Sequence, residues 1–384
     1  MILRYGIITY HFANNYGAML QCYALKTAIQ NLGHDAIVIN YISDKQLDNN
    51  AVYRKRQGVK GIIKNLLLIP FNKGRKKRQL SFNNFRKEYL GCTGDRINNK
   101  STLKNYIENG GFDAIISGSD QVWNPNVFDF DDAFFFPFYV PARKIGYAVS
   151  LGAASESQLR TYKKWIDDFD VITVREPKSA LIVNQVTSKT ITSVVDPVLL
   201  LPQSSWKELV PCHKTNKLLC YFVREEGLQG KIQRAKELAC KLNLEVEIVN
   251  LRITKQNFSE KILFDLSPID FLTELSNAEY VYTDSFHGTA FSLIYERNFT
   301  TVVSDSESGD NRKHDILNMV GLTNRIRNID VSSDVLESID YKLVNKKMEV
   351  IRNRSNALLN DYLTASTNGC LLYTSDAADE PCGV

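Results

Sequence analysis

Two apolar runs, Arg4 to Tyr10 and Asp35 to Tyr41, bracket a stretch in which Met19, Cys22, Leu25, Ile29 and Leu32 recur every three or four residues. The runs suit buried strands. The spacing between them puts one apolar stripe on a helix that Gly33 ends. Two strands joined through a helix lie parallel in one sheet. The chain is thereby committed to an α/β fold, and such sheets collect ligands beyond the carboxyl ends of their strands.

The alternation pauses between 44 and 110 and then resumes. "FDAIISGS", "KIGYAVSLGA" and "VITVRE" read as strands, and "PKSALIVNQ" opens a helix on a proline. "TSVVDPVLLLP", Thr192 to Pro202, reads as a strand leaving the first domain. A second series starts near Asn216, with "KLLCYFVR", "EVEIVNL", "EYVYTDSFHG" and "FTTVVSD" as strands separated by helical stretches. At 384 residues the chain exceeds what one core covers. The expectation is two Rossmann-like domains, 1–202 and 203–330, facing each other across a cleft. A helical segment, 331–369, is expected to pack back across them. The stretch "CLLYTSDAADE" reads as translated sequencing adapter, so 370–384 is set aside as a non-native tail.

Composition narrows the function. Hydrophobic residues at 44% and charged residues at 23% exclude a disordered chain, and a net charge of +4 gives no reason to expect nucleic acid. No apolar run is long enough to cross a membrane, and "MILRYGIITYHFANN" reads as a strand rather than a secretion signal, so a cytoplasmic location is expected. The seven cysteines are scattered without a C-x-x-C pair, so neither a metal centre nor a disulfide framework is expected.

The loops after strands carry the candidate chemistry. In "HFANNYGA", Asn14 and Asn15 offer amides and Gly17 allows close approach ahead of a helix, with an Asx turn capping that helix as the competing reading. In "SGSDQVWNP", Ser119, Asp120 and Trp123 suit sugar hydroxyls, a proton and a sugar face, with Trp123 in the core as the competing reading. Arg175 in "VRE" and Arg224 in "YFVREEG" end strands and suit a carboxylate or phosphate, or else a surface ion pair. In "TDSFHGTAF", Ser285 caps a helix start, Gly288 lets backbone approach a ligand, and His287 adds a donor or proton relay. Arg312, just ahead of a short helix, completes the set of anion-binding candidates.

"ANNYGAMLQCYAL", "ISGSDQVWN", "VRE", "VVDPVLLL" and "TDSFHG", in this order, resemble the polysaccharide pyruvyl transferase family. The resemblance implies a two-domain enzyme of the GT-B type. It would move pyruvate from phosphoenolpyruvate onto two hydroxyls of a glycan or lipid-linked glycan, leaving a cyclic ketal in cell-surface polysaccharide biosynthesis. His287 and Asp120 are then the catalytic candidates, and phosphoenolpyruvate is a co-substrate with no further cofactor and no metal. The second domain is expected to hold phosphoenolpyruvate and the first the sugar. A nucleotide-sugar glycosyltransferase and a non-catalytic glycan-binding protein are the rival readings. Finally, "KGIIKNLLLIPFNKGRKKRQ" sets apolar residues beside lysines and arginines, which suits either weak contact with an anionic membrane or a packed helix with a basic loop.

Overall fold

The computed structural model describes residues 1–52, 63, 66, 68–92, 94–211, 213–250, 259–304, 312–328 and 337–365. Within them, twelve strands form two parallel six-stranded sheets. The first contains β1 (Arg4–Ile8), β2 (Asp35–Val38), β3 (Ala114–Ser117), β4 (Arg143–Val149), β5 (Val171–Val174) and β6 (Thr192–Ser193), in the order β2-β1-β3-β4-β5-β6. The second contains β7 (Lys217–Phe222), β8 (Glu245–Asn250), β9 (Lys261–Leu263), β10 (Tyr280–Thr283), β11 (Asn298–Val303) and β12 (Ile326–Asn328), in the order β12-β11-β10-β7-β8-β9. These are two Rossmann-like domains. Strand order reverses beside β1 in one sheet and beside β7 in the other. At such reversals the loops diverge and leave a crevice.

The helix Tyr16–Asn31 follows β1 and begins on Asn15, whose side chain accepts the Ala18 N–H. Its first residue joins the domains. The Tyr16 ring stacks on Phe271 of the helix Pro268–Asn277, with centroids 4.5 Å apart, and lies against Tyr221 of β7. Tyr23 of the helix Tyr16–Asn31 lies against Trp206 of the second domain, with centroids 5.8 Å apart. Burial of each large ring contributes about 1.5–3 kcal/mol, so the domains share apolar core as well as a cleft.

The basic stretch around Arg75 is the helix Asn72–Phe85. Arg78 is buried, lies over the rings of Tyr16 and Phe82, and donates to the Asn14 carbonyl at 2.8 Å. Lys77 reaches across to Asp265 of the second domain at 2.6 Å. Part of the positive charge is thus structural. Ile63, Leu66 and Ile69 are exposed, whereas Lys60, Ile62, Lys64 and Leu67 lie outside the described residues.

One expected strand is only two residues long. Of Thr192 to Pro202 only Thr192–Ser193 pairs with β5, and Pro197–Leu199 is a 3-10 turn. Asp196 caps this turn by accepting the Val198 N–H, and Pro197 follows where no N–H is needed. The apolar residues are buried all the same, but on a turn that aims Asp196 inward.

The helix Tyr341–Thr364 starts on the second domain, where the Tyr341 hydroxyl donates to the Arg297 carbonyl at 2.5 Å. It ends on the first, where the Leu363 carbonyl accepts from the Tyr5 hydroxyl at 2.9 Å and from Arg143 at 3.3 Å.

Candidate active site

The turn after β10 is built from within. Thr283 donates to the Tyr221 carbonyl and accepts the Ser285 N–H. Asp284, 2% exposed, accepts from the Val223 N–H and from Lys231 Nζ at 2.6 Å. A buried carboxylate needs such partners to stay charged. Ser285 caps the helix Phe286–Ile294 by accepting the Gly288 N–H. His287 therefore sits in the first turn of a helix whose start is locked to β7 and β10.

Its ring points at the other domain. A methyl placed on Gly17 would fall 2.1 Å from His287 Nδ1, so the glycine makes the contact possible. His287 Nε2 lies 3.6 Å from Oδ2 of Asp196, an ion-pair separation rather than a hydrogen bond. Arg175, at the exit of β5, donates to the same Asp196 oxygen at 2.6 Å and to Glu176 at 3.0 Å. Asp120 lies 4.0 Å from Arg175 Nη2. Glu176 is in turn held by the hydroxyls of Ser150 and Ser179.

This is a buried charge cluster with two nitrogens to spare. Arg175 Nη2 and His287 Nε2 are both buried and have no hydrogen-bond partner among the described residues. Burial pulls the Arg175 guanidinium down, but the carboxylates of Glu176, Asp196 and Asp120 outweigh it and keep the group charged. Burial pushes the Asp196 carboxyl up, but the His287 ring and Arg175 push harder and hold it well below the usual carboxylate range.

Phe286 ties in a second arginine. Arg175 lies 5.2 Å from its ring centroid and Arg312 lies 5.9 Å away. Such contacts contribute about 0.5–1 kcal/mol each and fix where the guanidinium sits. Lys313, next to Arg312 and 2% exposed, donates to the carbonyls of Asp284 and Val302 and so anchors the start of that helix. Arg175, Arg312 and His287 thus gather around the Phe286 ring, and Arg175 and His287 share Asp196.

The remaining expected residues divide. Gly17 and Asp120 lie at the cluster. Arg224 stands at the end of β7, with its N–H 3.4 Å from Asp284. Asn15 and Ser285 are helix caps. Asn14 faces away from the cluster, bonding to Asn50 and lining a separate cavity.

Three expectations are corrected. Trp123 is fully buried between Phe135 and Phe169, and its N–H donates to Ser117 Oγ at 3.3 Å, so neither indole face is open to a sugar. Ser119 is also fully buried and its hydroxyl donates to the Ala148 carbonyl, so it shapes the loop rather than meeting a ligand. Gly288 is small for packing, since a methyl there would fall 2.3 Å from Thr283 Oγ1.

Asp196, Glu176 and Phe286 were not among the expected site residues. Asp196 and Glu176 both stand in quoted motifs, "VVDPVLLL" and "VRE". The Asp-Pro pair inside an apolar run was the available signal for a turn rather than a strand.

Known structures share this two-domain plan. A UDP-N-acetylglucosamine 2-epimerase is similar with TM-score 0.51 at 10% identity, over 96% of this chain and 98% of that one. A protein from Listeria monocytogenes assigned as the same kind of epimerase has TM-score 0.52 at 11% identity, over 93% and 90%. At such identity the likeness concerns the fold, which is of the GT-B type. No curated protein matches in sequence. A family model does match, over residues 15–306, a span that runs from the cap of the first helix through Arg175, Asp196 and His287, and it places the chain in the polysaccharide pyruvyl transferase family.

Proposed function

We propose that the protein transfers the pyruvyl group of phosphoenolpyruvate to hydroxyls of a glycan or lipid-linked glycan, forming a pyruvate ketal. The observation that carries this reading is the pair of buried groups, Arg175 Nη2 and His287 Nε2, that come from opposite domains, adjoin Asp196 and lack hydrogen-bond partners among the described residues. Phosphoenolpyruvate offers a phosphate and a carboxylate, and Arg175, Arg312 and the start of the Phe286–Ile294 helix suit both anions.

The reaction needs protons moved. One sugar hydroxyl attacks C2 of the enol phosphate and loses its proton, while C3 gains one and becomes a methyl group. A second hydroxyl then displaces phosphate from C2, its proton leaving with the phosphate. His287 is the group suited to relay a proton or hold the departing phosphate, with Asp196 orienting its ring. Asp120, beside Arg175 on the first domain, suits the incoming hydroxyl.

Incubation with phosphoenolpyruvate and candidate glycans should release inorganic phosphate and yield a ketal-bearing product. Stabilisation by nucleotide sugars, with none by phosphoenolpyruvate, would favour the glycosyltransferase reading instead.

Contact with a membrane surface is a further part of the proposal. No helix among the described residues is long and apolar enough to cross a membrane. Exposed Ile63, Leu66 and Ile69 with exposed Lys73 and Lys76 support weak attachment to anionic lipid, where a lipid-linked acceptor would be found.

A further inference from the structure

A cavity of about 460 Å³ opens in the first domain, beside the turn that follows β1. Its size falls within the roughly 300–1,000 Å³ of small-ligand sites. Six side-chain amides line it, those of Asn14, Asn40, Gln46, Asn50, Gln79 and Asn83. Arg86 and Lys87 add two positive charges, and among the described residues no carboxylate lines the wall.

Two features of the wall point to a ligand. Arg86 donates to the Phe12 carbonyl at 2.7 Å and to the Asn83 side chain, but it pairs with no carboxylate among the described residues. Burial pulls its guanidinium down to about 10. A largely buried cation without a counter-ion is costly for a fold to keep, and structural arginines are normally paired. Second, Oδ1 of Asn14 is buried without a hydrogen-bond partner among the described residues, an acceptor suited to a hydroxyl.

We propose that this cavity binds an anionic sugar residue, with Arg86 and Lys87 holding its carboxylate or phosphate and the amides of Asn14, Asn50, Gln79 and Asn83 holding its hydroxyls. A neutral sugar would leave Arg86 as uncompensated as before, and a simple anion would not use the amides. Asn14 and Gly17 are three residues apart, so the cavity lip lies within about 11 Å of the glycine that faces His287. That is the reach of one or two sugar rings. The binding claim stands on the cavity alone; its role as the subsite for a neighbouring residue of the acceptor glycan rests on the pyruvyl-transfer reading.

The test is equilibrium binding to the full chain without phosphoenolpyruvate, using glucuronate, glucose 1-phosphate and glucose at millimolar concentration. At least one of the two anionic sugars is expected to bind about tenfold or more tightly than glucose, and which one binds identifies carboxylate or phosphate as the recognised group. Arg86→Gln should weaken that binding about tenfold or more. Asn83 is exposed, so Asn83→Asp keeps the fold and hands Arg86 the counter-ion it lacks; it should weaken binding similarly. His287→Ala should leave this binding unchanged, which separates the cavity from the charge cluster. Failure of both anionic sugars to bind, equal binding of glucose, or unaltered binding by Asn83→Asp would each overturn the proposal, whether or not pyruvyl transfer is observed.

Discussion

Gly17 and His287 belong to opposite domains and touch, with room at residue 17 for a hydrogen and no more. The glycine therefore sets the position of the imidazole. Gly17→Ala should push the ring off Asp196 and lower transfer by about 10²-fold, as a displacement of ~1 Å does in a preorganised site. Steady-state phosphate release with a crystal structure of the variant checks this. Full activity with an unmoved ring would show that the contact has no part in positioning.

His287→Ala should abolish transfer while the fold survives. The ring borders the cleft rather than filling the core, so thermal unfolding should shift little. A lost general acid–base costs about 10²–10⁴-fold. Near wild-type turnover by a folded variant would remove His287 from the mechanism.

Arg175 should matter to stability as well as to activity. Arg175→Met strands Asp196 and Glu176, both buried, and should cost about 3–5 kcal/mol in denaturant unfolding. Arg175→Lys keeps the charge but not the fork, so it should recover part of the stability without recovering transfer. Equal recovery of both would mean that the guanidinium shape is unimportant.

His11 makes the fold sensitive to mild acid. It is fully buried, and its nitrogens face two acceptors, the Thr9 carbonyl at 3.1 Å and Asn40 Oδ1 at 3.3 Å. Burial nevertheless dominates and lowers it from 6.5 to about 4. The unfolded chain then takes up a proton before the folded one does. Stability from this residue is complete above pH 6.5, falls as the pH drops towards 4, and changes no further below, with a total of roughly 3 kcal/mol at most. His11→Gln should flatten that slope in urea titrations across this window. An unchanged slope would assign the acid sensitivity elsewhere.

Vesicle co-sedimentation tests the surface beside the helix Asn72–Phe85. Binding to anionic vesicles should weaken with salt and be lost in Lys73→Gln/Lys76→Gln, neither of which is buried. Protein that stays in the supernatant at low salt would leave the exposed apolar residues without a membrane role.

The strand, turn and helix around His287 were legible because periodicity and a capping serine are local signals. The run around Asp196 was misread because its valines and leucines are as buried in a turn as they would be in a strand; only the proline betrays the difference. Trp123 was misjudged for a related reason. A loop sequence does not disclose which way an indole turns, and here Phe135 and Phe169 claim it. The contact of Arg175 with Asp196 spans 21 residues and that of Gly17 with His287 spans the cleft, so neither leaves a local pattern to read.

The helix Tyr341–Thr364 has a consequence for the order of assembly. Its last turns complete the first domain, against Tyr5 and Arg143, yet they leave the ribosome after the whole second domain. The first sheet can therefore form early during synthesis but waits, with Tyr5 lacking its partner, until the second domain has been made. The second domain, contiguous in sequence apart from this helix, is free to fold in the meantime. Synthesis thus finishes the domain it began with last, and a nascent chain halted before residue 341 would lack the contacts that Tyr5 and Arg143 make with Leu363.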